Sequence, residues 1–67
     1  MNVIVIGLGS MGRRRIRLLR KYDATFNIIG IDNKAERRSL VKKEYDIEVS
    51  DNLENVLKSN HIDCAFI

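Results

Sequence analysis

Residues 3 to 19, "VIVIGLGSMGRRRIRLL", place an apolar run, three glycines and a burst of arginines in immediate succession. Their order decides the fold. Residues 2–6, "NVIVI", are a short β-branched run of the kind that makes a strand buried on both faces. Gly7, Gly9 and Gly12 follow at once in the pattern G-x-G-x-x-G. A helical stretch then opens at Ser10 or Met11 and runs to about Tyr22. Three glycines at this spacing are a weak signal alone, and the strand before them and the helix after them supply the context the motif requires. Gly7 permits the tight turn out of the strand, Gly9 lets the backbone approach a pyrophosphate, and Gly12 lets the helix pack closely on the sheet. Free amides around Ser10 and Met11, at the positive end of the helix, are placed to hold phosphates.

Working outward, "FNIIGI" (26–31) reads as a second buried strand that ends at Asp32, twenty residues after Gly12. An acid at that point accepts hydrogen bonds from ribose hydroxyls. Its charge repels a 2′-phosphate, which favours NAD over NADP, while Lys34, Arg37 and Arg38 close behind soften the repulsion. Asn33 is placed to cap the next helix, with Glu36 completing a capping box and Leu40, Val41 and Tyr45 turned inward. "IEVS" (47–50) is a shorter strand. Asp51 caps a third helix, with Glu54 at the capping-box spacing and Leu53, Val56 and Leu57 as its apolar stripe. "IDCAFI" (62–67) is the last strand. Alternating strands and helices with short connections imply right-handed crossovers and a parallel sheet. The expected fold class is α/β. Because the chain stops inside an apolar strand, it reads as the N-terminal part of a larger, doubly wound domain.

Composition narrows the functional classes. A chain of 67 residues is at most one small domain, burying only about 60% of the surface its unfolded form exposes. Cys64 is the single cysteine, so there is neither an internal disulfide nor a metal cluster, in keeping with a reducing cytoplasm. The first apolar run is far too short for a signal peptide or a membrane span. The net charge is +3, but the aromatic residues do not interleave with the basic ones, which argues against nucleic acid. On a helical wheel Arg13, Arg14, Arg17, Arg20 and Lys21 form a solvated face opposite Met11, Gly12, Ile16, Leu18, Leu19 and Tyr22. Arg15 is the exception. It falls within the apolar arc, where it either leans toward the phosphate end of the sheet or snorkels to water. His61, Asp63 and Cys64 form no catalytic constellation.

The chain resembles the Gfo/Idh/MocA family, named for glucose-fructose oxidoreductase and inositol dehydrogenase. The resemblance spans the whole chain and rests on "VIVIGLGSMGRRRIRLL", on "NIIGIDNKAERR" and on "SDNLENVLKSNHIDCAFI". The last is the most discriminating, a capped helix leading into a strand of the form I-D-x-x-x-I. Family members often carry histidine where this chain has Arg15. The resemblance implies a Rossmann-type, NAD(P)-binding segment over residues 1–67. The rest of that domain and a C-terminal α/β substrate domain would lie beyond them. It implies hydride transfer between the nicotinamide cofactor and a hydroxyl carbon of a sugar, cyclitol or related small molecule, by a homo-oligomer. Carried over to this chain, Gly7, Leu8, Gly9, Ser10, Met11 and Gly12 line the pyrophosphate, Asp32 takes the ribose, and Asn33 and Arg37 flank the adenosine. The family's catalytic lysine, in a Glu-Lys-Pro motif past the next strand, is not among these residues, so the segment is expected to bind cofactor without catalysing. The rival reading is a non-enzymatic NAD-sensing domain of the kind that gates potassium transporters.

Overall fold

The computed structural model describes all 67 residues. Four strands, β1 (Asn2–Ile6), β2 (Asn27–Ile31), β3 (Glu48–Ser50) and β4 (Cys64–Phe66), form one parallel sheet in the order β3-β2-β1-β4. Three helices connect them: α1 (Ser10–Tyr22), α2 (Ala35–Tyr45) and α3 (Leu53–Ser59). Strand–helix alternation and a parallel sheet are the Rossmann-type α/β arrangement expected. The register pairs Ile4 with Ile29 and Ile6 with Ile31 on one side of β1, and Val5 with Phe66 on the other. Since β3 and β4 lie on opposite sides of the first two strands, the chain reverses its direction of growth through α3. The carboxyl ends beside such a reversal are where open α/β sheets bind ligands.

Strand residues alternate between two cores. Val5 and Ile28 face α1 and α2, where Leu8, Ile16, Val41 and Ile47 close over them. Ile4, Ile29 and Ile31 face the opposite layer, where Val56 of α3 packs. Burial on both faces explains why β1 and β2 are apolar without alternation. Gly30, inside β2, makes the notch that receives Leu8. A Cβ there would stand 2.9 Å and 3.1 Å from the two Leu8 methyl carbons.

The helix boundaries and faces depart from the sequence expectations in particular places. Helix α2 starts at Ala35 with Lys34 as its N-cap, so Asn33 does not cap it. Asn52 rather than Asp51 caps α3, its side-chain oxygen accepting the Asn55 N–H at 3.0 Å. Glu54 completes no capping box there and lies 3.6 Å from Lys58 instead. Of the apolar arc on α1, Gly12 and Ile16 are buried and Leu19 packs on the core, whereas Met11, Leu18 and Tyr22 are exposed. Leu40 and Leu57, expected inside, are exposed as well. No helix is long and apolar enough to cross a membrane.

Candidate functional site

Backbone pairing continues past the strands and shapes the loop at their carboxyl ends. The Gly7 N–H donates to the Ile31 carbonyl at 2.8 Å, and the Asp32 N–H donates to the Ser50 carbonyl at 3.1 Å. Gly7 then turns with φ +92°, a conformation that favours glycine. Gly12 sits so close to this turn that a Cβ on it would overlap the Gly7 carbonyl group. That contact lets α1 begin directly over the end of β1. The first helical hydrogen bond runs from Arg13 N–H to the Gly9 carbonyl at 3.0 Å. The N–H groups of Ser10, Met11 and Gly12 therefore have no intrahelical acceptor. No acidic side chain occupies this first turn to compete for them.

These amides open on a cavity of about 490 Å³, lined by the glycines, Ser10 and Met11 together with Arg15 and Arg37. A second hollow of about 390 Å³ shares Ile6, Gly7 and Arg37 with it and continues past Asp32, Asn33, Asp51 and Leu53. The two make one groove across the carboxyl ends of β1 and β2. Its glycine end presents donors and positive charge. Its other end presents the Asp32 carboxylate.

Asp32 is only 7% exposed and makes more contacts than a simple ribose acceptor requires. Its Oδ2 accepts the Leu8 N–H at 2.8 Å and stands 3.6 Å from the Arg37 guanidinium. Its Oδ1 accepts the Lys34 N–H at 2.8 Å, and the Arg38 guanidinium donates to its backbone carbonyl at the same distance. Burial pushes the carboxyl pKa up. The amide hydrogen bonds from Leu8 and Lys34 and the charge of Arg37 outweigh that, and hold it below the ordinary carboxylate value. The group is thus ionised at neutral pH and acceptor-only. Its bond to Leu8 ties the acid on β2 to the glycine loop after β1.

The structure brings all the expected cofactor residues except Leu8 to this groove. Gly7, Gly9, Ser10, Met11 and Gly12 line its phosphate end, and Asp32, Asn33 and Arg37 its far end. Leu8 differs in kind, since its side chain fills the core and its amide is committed to Asp32. Arg15 turns toward the cavity, and Arg13 folds back with its Nε 3.4 Å from the Gly9 carbonyl. Three participants escaped the sequence reading. Gly30 had a signal, because an isolated glycine in a strand marks close approach. Asp51 and Ile67, which also line the groove, had none, because their place depends on how β3 and β4 flank the first two strands. Asp63, read as chemically idle, ties β4 to β1 by accepting the Asn2 N–H at 2.7 Å.

The groove tests well for a dinucleotide. A side chain at Gly9 would project beside the Arg37 guanidinium, with its Cβ 3.6 Å from a guanidinium nitrogen, in the space a pyrophosphate needs. Glycine turn, open helix end and strand-terminal carboxylate together define an NAD(P)-binding Rossmann unit. The model of the Gfo/Idh/MocA family, an oxidoreductase family with an NAD-binding Rossmann fold, matches residues 1–67, and the chain belongs to that family. No curated protein and no solved structure is matched by the chain.

Proposed function

We propose that this chain is the cofactor-binding part of an oxidoreductase that moves hydride between NAD and a hydroxyl carbon of a sugar, cyclitol or related compound. The observation that carries the reading is the ionised Asp32 carboxylate, anchored at one end of a groove whose other end offers unpaired amides. The dinucleotide would supply the hydride chemistry at its nicotinamide ring. The chain's own residues bind and orient it. Ser10, Met11 and Gly12 donate to the pyrophosphate, and Asp32 accepts from the adenosine ribose, flanked by Asn33 and Arg37. The unused acceptor capacity of a carboxylate that already takes two amides suffices for a hydroxyl.

NAD is preferred over NADP in this reading because a 2′-phosphate would meet the Asp32 charge in a groove that Asp51 also lines. Arg37 limits the preference without reversing it, since it is already paired with Asp32. In this reading the catalytic lysine belongs to the rest of the Rossmann domain, past the next strand, and the substrate-contacting sheet to a C-terminal domain that also builds a homo-oligomer. Calorimetric titration with both dinucleotides tests the proposal. NAD⁺ binding at least threefold tighter than NADP⁺ supports it, and an equal or reversed order overturns the cofactor assignment.

A further inference from the structure

Arg15 carries a contact that neither the glycine motif nor Asp32 explains. It lies one turn beyond Gly12 on the same face of α1, so its side chain leans back toward the loop and lines the 490 Å³ cavity. Its guanidinium stacks over the Phe66 ring, 5.3 Å from the centroid. The other arginines that meet protein acceptors do so elsewhere: Arg13 at the Gly9 carbonyl, Arg17 at the Tyr45 hydroxyl, and Arg37 and Arg38 at Asp32. Arg15 has only the ring. A half-buried cation with five N–H donors and no oxygen to receive them is well placed for an anion.

The side of the cavity on which Arg15 stands decides which anion. Register places Phe66 beside Val5, two residues before Gly7, on the flank of β1 opposite β2. Asp32 and Arg37 hold the β2 side. A dinucleotide with its adenosine ribose at Asp32 would have to cross the glycine loop, which would bring its second phosphate toward β4. We infer that Arg15, oriented by its stack on Phe66, contacts the phosphate nearer the nicotinamide and so reads the diphosphate as distinct from a single phosphate. This rests on the dinucleotide reading and deepens it. Phe66 is the positioning residue of the pair. An aromatic face holds a planar guanidinium in one orientation, which it does less well for the ammonium of a lysine.

AMP, which has only the adenosine-side phosphate, and ADP-ribose, which has both, separate this contact from general attraction. Affinities of the 67-residue chain for the two, and for NAD⁺, are measured by calorimetry for the parent, Arg15→Met, Arg15→Lys and Phe66→Leu. Arg15→Met is expected to weaken ADP-ribose and NAD⁺ by about tenfold, the loss typical of one charged hydrogen bond, and AMP by less than about twofold. Arg15→Lys retains part of the affinity. Phe66→Leu, which leaves every charge in place, loses about threefold for ADP-ribose and NAD⁺ and leaves AMP unchanged, of the order a surface cation–π contact supports. Unchanged ADP-ribose binding in Arg15→Met overturns the inference, and so does an equal loss for AMP and ADP-ribose. In both cases binding by the parent leaves the dinucleotide reading standing. A parent chain that binds none of the three ligands overturns both.

Discussion

Gly9 and Gly12 lie three residues apart and do different work, and alanine separates the two. At Gly12 a methyl would overlap the Gly7 carbonyl oxygen and stand 2.9 Å from its carbon, and backbone at a turn has little room to retreat. Gly12→Ala is expected to cost about 3 kcal/mol, toward the upper end for overpacked sites, as a lowered urea midpoint. At Gly9 the nearest atoms belong to the Arg37 side chain at ordinary contact distance, and φ is −73°. Gly9→Ala is therefore expected to keep stability within about 0.5 kcal/mol and lose at least tenfold in NAD⁺ affinity. The sequence motif names both glycines and does not say which one the fold depends on.

Asp32 gives a prediction in pH. A carboxyl whose folded pKa lies below its unfolded one contributes stability that is fully present above the unfolded value, about 3.9. That contribution is lost as pH falls through the folded value. The parent is expected to lose stability steeply below about pH 4, and Asp32→Asn to show a shallower acid limb from a lower plateau. A residual slope belongs to Asp63, lowered mainly by the Asn2 N–H, and to Asp23, lowered mainly by the Thr25 hydroxyl. Denaturant unfolding at closely spaced pH values measures this. Parallel acid limbs in the parent and the variant would contradict the account of Asp32.

At the scale of elements, the helix starts show what local sequence leaves open. "SDN" (50–52) offers three capping residues in a row. The Ser50 hydroxyl accepts the Asn52 N–H at 3.0 Å, which holds Asn52 extended and hands it the cap of α3. Before α2, Asp32 takes the Lys34 N–H through its own side chain, which delays the helix and leaves Asn33 exposed. Asn52→Ala is expected to cost about 1 kcal/mol, with Asp51→Ala and Asn33→Ala within about 0.5 kcal/mol, as read by denaturation midpoints. Helical periodicity locates the strip of α1 that touches the sheet but overstates its width. Gly12, Ile16 and Leu19 meet the sheet side, while Met11, Leu18 and Tyr22 are exposed on the flanks of the helix. The strands were legible because β1 and β2 are continuous β-branched runs, although pairing trims "FNIIGI" to Asn27–Ile31 and "IDCAFI" to Cys64–Phe66.

For the whole molecule, only 14 of 67 residues are buried, so a bound ligand is a large part of what can hold the fold together. NAD⁺ at a hundred times its Kd is expected to add about 2.7 kcal/mol. For a domain of this size that is a rise in Tm of roughly 10 to 20 °C, visible in a circular dichroism melt. Alternation of strand and helix made the parallel sheet legible, and G-x-G-x-x-G with Asp32 made the groove legible. The order β3-β2-β1-β4 was not, because β-branched runs carry no mark of their neighbours, and with it went the places of Asp51 and Ile67 beside the groove. In the proposed function the glycine loop and Asp32 act together as one dinucleotide site. Amide NMR titration of the chain with NAD⁺ and, separately, NADP⁺ tests it most directly. Saturable shifts are expected at Leu8 to Gly12, Asp32 and Lys34, following a single binding curve that is tighter for NAD⁺. A dispersed spectrum in which these amides ignore both ligands would contradict it.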